Sequence, residues 1–170
     1  PGFAEVYNCI GIALKELKRH EEALASFEKA LAIKPNYAEV YNNQGLVQKD
    51  RQRYEEALTS LEKALAIKPD YAIAYYNQGN ALQDLKLFEA ALKCDDKMLM
   101  LDPNHPFVLG KTILTRMNLC LWDRFDQHVK QLNEHISNNK KASSPYDYQT
   151  LVDSPFLQKR CAELFTQHRF

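Results

Sequence analysis

The chain has no net charge: 22 lysines and arginines stand against 22 aspartates and glutamates in 170 residues. That balance excludes the broad positive field with which proteins hold nucleic acid or an anionic membrane surface. Long apolar runs are missing too. None approaches the roughly 18 consecutive apolar residues that a membrane-crossing helix needs. Glycine is scarce, and three of the five glycines occupy one repeating position, which leaves nothing from which to assemble a phosphate-binding glycine loop. The four cysteines, Cys9, Cys94, Cys120 and Cys161, show no C-x-x-C spacing. They read as buried thiols in a reducing compartment, not as disulfides or a zinc site. No signal peptide reads at the start, and a cytoplasmic location is expected.

What the chain has is a period of 34 residues. The segments 1–34, 35–68 and 69–102 align without a gap. Tyr7, Tyr41 and Tyr75 share one phase, and Gly11, Gly45 and Gly79 another. Ala23, Ala57 and Ala91 share a third, and Ala30 and Ala64 a fourth, where the third copy has Met98. Pro35, Pro69 and Pro103 close the copies. Pro1 has the same phase, which reads as a cut at a repeat boundary with an earlier part of the natural protein before it.

Each copy reads as two helices. In the second, Ala38 to about Gln52 presents Tyr41, Gly45 and Gln48 on one face, and Tyr54–Lys68 turns Ala57, Leu61, Ala64 and Leu65 inward. A glycine inside a helix costs about 1 kcal/mol against alanine, so three at one phase imply a close helix crossing, with Gly45 opposite Ala57. Pro69 lacks an N–H and disfavours helix in the residue before it, which ends the second helix. Asp95 breaks the pattern at the core phase of Phe27 and Leu61. A carboxylate there is costly without water or a partner, and a loosened or rotated helix is expected around it.

The 34-residue period, with aromatic, Gly, Ala and closing Pro at fixed offsets, resembles the tetratricopeptide repeat. The resemblance implies an all-α right-handed superhelix of antiparallel helix pairs, with the first helix of each pair lining a concave groove that binds an extended peptide or partner protein. Carried over by motif position, that groove takes Glu5, Asn8, Cys9, Ile12, Lys15 and Glu16 from the first copy. The second copy supplies Glu39, Asn42, Asn43, Leu46, Lys49 and Asp50, and the third Ile73, Tyr76, Asn77, Asn80, Gln83 and Asp84. Asn43 and Asn77 share a motif position at which O-linked N-acetylglucosamine transferases, which carry repeats of this kind, bond a peptide backbone, and an amide suits that because it both donates and accepts. The bland alternative, that these are solvated helix faces or bonds between neighbouring helices, stays open. Chaperone adaptors of the family clamp a C-terminal carboxylate with Lys, Asn, Asn, Lys and Arg at five such places. Here those places hold Asn8, Ile12, Asn43, Ile73 and Asn77, so the clamp is not expected.

The period continues past Pro103 while its signature decays: Ile113 stands at the Gly phase, Phe125 at the Ala phase and Trp122 at the phase of His20, Tyr54 and Phe88. Helices are expected over 106–121, with Leu109, Ile113, Met117 and Leu121 inward, and over 122–137, with Phe125, Val129, Leu132 and Ile136 inward. Trp122 is expected in the core. Residues 137–144 have linker composition, Pro145–Leu151 reads as extended, and Ser154-Pro155 starts a last helix to about His168 that buries Phe156, Leu157, Cys161 and Leu164 or Phe165. The domain reading is therefore three repeats over 1–102, a degenerate fourth over 103–137, and a linker with a C-terminal capping helix over 138–170.

The order Cys120-Leu-Trp-Asp123, a helix over 125–136, Ser143-Ser-Pro145 and Asp153-Ser-Pro-x-Leu-Gln158 is similar to the junction that joins repeats to catalytic lobes in bacterial O-linked N-acetylglucosamine transferase homologues, the SPINDLY-like family. That resemblance implies a recognition arm severed before its catalytic part. The chain itself is not expected to be an enzyme. His128 and His135 are two turns apart without a third metal ligand, no Ser/His/Asp order suggests a triad, and no cofactor is implied. The partner expected is a protein or peptide, with nucleic acid and membrane excluded and self-association left open.

Overall fold

The computed structural model describes residues 2–123 and 125–166. Among them there are ten α-helices and no strand, running α1 (Gly2–Glu16), α2 (His20–Ile33), α3 (Ala38–Asp50), α4 (Tyr54–Ile67), α5 (Ala72–Asp84), α6 (Phe88–Leu101), α7 (Val108–Asn118), α8 (Phe125–Ser137), α9 (Pro145–Leu151) and α10 (Pro155–Thr166). The chain forms two compact units, residues 1–94 and 95–170, and the division falls within α6.

In the first unit the second helices α2 and α4 end at Ile33 and Ile67, two residues before the closing prolines. The turn inside each pair is a second periodic device. Lys18, Gln52 and Lys86 all adopt left-handed φ near 60°. The following N–H reaches back across the turn, Arg19 to the Leu14 carbonyl at 2.9 Å and Arg53 to the Gln48 carbonyl at 2.9 Å, which satisfies carbonyls that a helix end would leave bare. Cys120, at the same phase in the fourth copy, keeps this geometry at φ 56°, with Leu121 donating to the Arg116 carbonyl at 2.9 Å.

Packing follows the small-residue phases. Ala23, Ala57 and Ala91 are fully buried, as are Ala30 and Ala64. A Cβ on Gly11 would come within 2.4 Å of the Phe27 ring, and one on Gly45 within 2.8 Å of Leu61 and 3.2 Å of the Ala57 carbonyl. Both glycines therefore mark the closest approach of the paired helices. Val40 and Val47 of α3 join Ala23, Leu24, Phe27 and Ala30 of α2 in one cluster, and Ala74 of α5 joins Leu61 and Ala64 of α4 in the next. Helix α3 thus buries one face on its own partner α4 and another on α2 of the preceding pair.

The second unit has one core: Leu109 and Ile113 of α7, Leu132 and Ile136 of α8, Ala142, Tyr148 of α9, and Cys161 and Leu164 of α10. Burying such side chains is worth about 1.5–3 kcal/mol each. The Tyr148 hydroxyl, inside this core, donates to Asn133 Oδ1 at 2.6 Å, and burial pushes its pKa up to about 12.

Several sequence expectations are corrected here. Pro145–Leu151 is a helix, with Pro145 at its first position, where the missing N–H costs nothing. The stretch before it is no loose linker: Ala142 and Ser143 are buried, and the Ala142 carbonyl accepts from Gly110 N–H at 2.9 Å. Trp122 is 56 % exposed and lies edge-on to Phe125 with ring centroids 5.6 Å apart, outside the core. Leu121 and Phe156 are exposed too. Of the thiols, Cys161 is buried and Cys94 half-buried, but Cys9 and Cys120 reach solvent. Asp95 does not loosen α6. The helix runs through it, because its carboxylate, wholly buried, takes the Lys111 ammonium at 3.1 Å. The expected end of the last helix near His168 lies outside the described residues.

Candidate peptide-binding face of the repeats

The sequence-derived residues lie on α1, α3 and α5, and two hydrogen bonds fix the register of these helices. Asn43 Nδ2 donates to Asn8 Oδ1 at 3.0 Å, and Asn77 Nδ2 donates to Asn42 Oδ1 at 2.7 Å. Both bonds span 35 residues, from the sixth motif position of one copy to the fifth of the copy before. The asparagines thus form a seam between neighbouring first helices. Asn8, Asn42 and Asn77 are buried in it, and Asn43 is half-buried.

From that seam the rest of the face follows by helical spacing, since residues three or four apart stack on one side about one turn, roughly 5.4 Å, along the axis. One turn toward the C-terminal ends lie Ile12, Leu46 and Asn80. One turn the other way lie Glu5, Glu39 and Ile73, with Tyr76 beside the seam itself. Two turns on are Lys15, Lys49 and Gln83, bordered by Glu16, Asp50 and Asp84. Ile12 and Ile73 are 37 % and 39 % exposed, and Cys9 is open to solvent, while Leu46, Tyr76, Asn80, Gln83, Lys15 and Lys49 are half-buried.

The charges on this face are largely engaged. Glu5 pairs with Lys34 at 3.5 Å and Glu39 with Lys68 at 3.8 Å, the same interaction one period apart. These lysines also lie over the Tyr37 and Tyr71 rings, at 4.1 and 5.0 Å from the centroids. Burial, and after it the Glu39 carboxylate, raises the Tyr71 pKa. Lys15 and Glu16 pair at 2.9 Å, and that bond lowers the Glu16 pKa. Among the described residues no three His, Cys, Asp or Glu side chains come together to hold a metal ion. No described helix is long and apolar enough to cross a membrane.

The tetratricopeptide repeat family matches residues 2–70 and, in an overlapping register, residues 42–106. The chain is a tetratricopeptide repeat protein. No curated protein matches it. Among solved structures it resembles MamA, at TM-score 0.73 and 20 % identity over 81 % of each chain. It also resembles a MamA fragment from Desulfovibrio magneticus RS-1, at TM-score 0.67 and 26 % identity over 77 % of this chain and 74 % of that one. The first repeat domain of Spaghetti (RPAP3), solved with the HSP90 peptide SRMEEVD, matches at TM-score 0.67 and 21 % identity over 69 % of this chain and 94 % of that one.

The Asn8–Asn43 and Asn42–Asn77 seam was not read from sequence as a bond between repeats with named partners. Its signal was present: an Asn-Asn pair in the second copy, with Asn8 and Asn77 each one period from a member of it.

Proposed function

We propose that the chain is a protein-interaction module that holds an extended peptide across α1, α3 and α5. The observation that carries this reading is one face on which solvent-accessible apolar side chains (Ile12, Ile73) and half-buried ones (Leu46, Tyr76) recur beside amides (Asn80, Gln83), with Glu5, Glu16 and Glu39 paired to lysines. A protein of the same fold is solved with a peptide bound. In this reading Asn43 and Asn77 hold the register, and the half-buried Asn43 offers the peptide its remaining amide capacity, a second N–H and a carbonyl oxygen. The chain itself catalyses nothing: it supplies affinity.

The test is selection from an immobilised library of unstructured peptides, followed by the double change Leu46→Asp with Tyr76→Asp. Capture by the parent and a loss of about tenfold or more in affinity, about 1.4 kcal/mol, in a variant that keeps the parent's circular dichroism at the assay temperature, is expected. A parent that selects no peptide, or a variant that holds its peptides equally well, ends the proposal.

A second reading, the recognition arm of an O-linked N-acetylglucosamine transferase homologue, rests on the residue order Cys120–Asp123 and Asp153–Gln158. In support, helices occupy the stretches that order requires, Phe125–Ser137 and Pro155–Thr166. The natural reading frame beyond Phe170 decides it: two nucleotide-binding α/β lobes there establish the reading, and any other continuation removes it.

A further inference from the structure

The peptide reading leaves open what kind of peptide fits, and the chemistry of the face narrows this. The first helices themselves carry five carboxylates at the outward motif positions, Glu5, Glu16, Glu39, Asp50 and Asp84, against two lysines, Lys15 and Lys49. The cations that approach from the second helices, Lys34 and Lys68, are already committed to Glu5 and Glu39 and to tyrosine rings. Isoleucines occupy two places, 12 and 73, where a cation or amide would be needed to grip a terminal carboxylate. Asn8 and Asn77, at two more, are buried in the seam and bonded to Asn43 and Asn42. A peptide ending in acidic residues would meet carboxylates and apolar groups, and its charges would lose water without gaining partners.

Resting on the interaction-module reading, we infer that the face selects an extended, non-acidic peptide with apolar side chains at alternate positions. Alternation follows from the geometry. Neighbouring helix axes 8–10 Å apart place three helices over roughly 16–20 Å, the reach of five or six extended residues at about 3.3 Å each. In that conformation every second side chain points the same way, toward Ile12 and Leu46 or toward Ile73 and Tyr76. The intervening side chains face water.

The experiment compares two probes by fluorescence anisotropy on the full chain: the heptapeptide SRMEEVD, and an acetylated, amidated nonapeptide alternating Leu and Gln. The Leu/Gln peptide is expected to bind at least about tenfold more tightly, with less than a twofold change between about 0.05 and 0.3 M salt, as contacts without net charge demand. Ile12→Asp with Ile73→Asp, both at solvent-accessible positions, should weaken it about tenfold while circular dichroism and melting stay as in the parent. Equal or tighter binding of SRMEEVD overturns the inference and leaves the module reading standing. So does selection of acidic or densely charged peptides from the library used above. Failure of both probes together with an empty library removes both.

Discussion

Exchanging Lys111 for Met removes the cation that lies 3.1 Å from a fully buried carboxylate. Asp95 Oδ1 accepts from that ammonium, and its Oδ2 has no hydrogen-bond partner among the described residues. Two routes give the cost. Losing one partner of a buried ion pair leaves an uncompensated charge, worth about 3–5 kcal/mol. The carboxyl can escape only by taking up a proton, which costs about 1.4 kcal/mol for each pH unit above its ordinary value near 3.9, or up to about 4 kcal/mol at pH 7. The routes agree, and the second adds a signature: at pH 5 the same escape costs about 1.5 kcal/mol, so the penalty must shrink with acidification. Urea unfolding followed by the fluorescence of Trp122, which lies in the same compact unit, measures it. The control is Asp95→Leu with Lys111→Asn, which installs the residues found one period earlier, Leu61 and Asn77. That double variant should equal the parent or exceed it by up to about 4 kcal/mol, since a well-packed apolar group commonly replaces a buried pair without loss. A Lys111→Met penalty under about 1 kcal/mol at pH 7, or one equal at pH 5 and pH 7, would refute the reasoning.

Other expectations are simpler. Burial raises the Asp95 pKa above the ordinary carboxylate value. Its contribution to stability is therefore complete below that ordinary value and is lost as pH rises through the raised one, and Asp95→Asn should flatten that part of the stability–pH curve. Gly110→Ala drives a Cβ to within 2.1 Å of Ser143 Oγ and 3.0 Å of Ser143 Cα, so overpacking should cost about 1–3 kcal/mol by thermal unfolding. Gly2→Ala, with nothing within 4 Å, should cost nothing measurable in the same scan. Asn77→Ala strands the buried Asn42 carbonyl oxygen and should destabilise the repeats by about 1–3 kcal/mol in denaturant titration, whereas a purely ligand-facing asparagine would leave stability untouched. Trp122→Ala, at an exposed ring, should cost under about 1.5 kcal/mol.

The repeats were legible because one period fixes several independent constraints at once. Gly45 sits against Leu61 and Ala57, and Pro69 follows the end of α4, as their spacing implied. The second unit was less legible because its signals are not periodic. Trp122 shares the phase of His20, Tyr54 and Phe88, and that phase is no core one in the repeats either: His20 and Tyr54 are half-buried and Phe88 is exposed. Lys111 and Asp95 each look anomalous alone and become sensible only as a pair across 16 residues. Pro145–Leu151 reads as extended after a stretch of linker composition, although proline is equally at home on the first turn of a helix. On the candidate face, sequence phase gave the positions, but it could not tell an amide that bonds a ligand from one that bonds its neighbour. Asn77 does the latter.

The Asn seam has a consequence for how such a chain can change over generations. Each of its bonds joins the sixth position of one copy to the fifth of the copy before, so the two junctions among the first three copies use the same fitting. Excision of residues 35–68 as a block would bring Asn77 to Asn8 and set Ala74 and Ala81 of α5 in the places that Val40 and Val47 now fill beside Phe27. Insertion of another 34-residue block would meet the same fitting at both ends. The array is thus open to unequal recombination in whole-copy steps. Any other step length would slip the seam out of register and bury amides with nothing to bond.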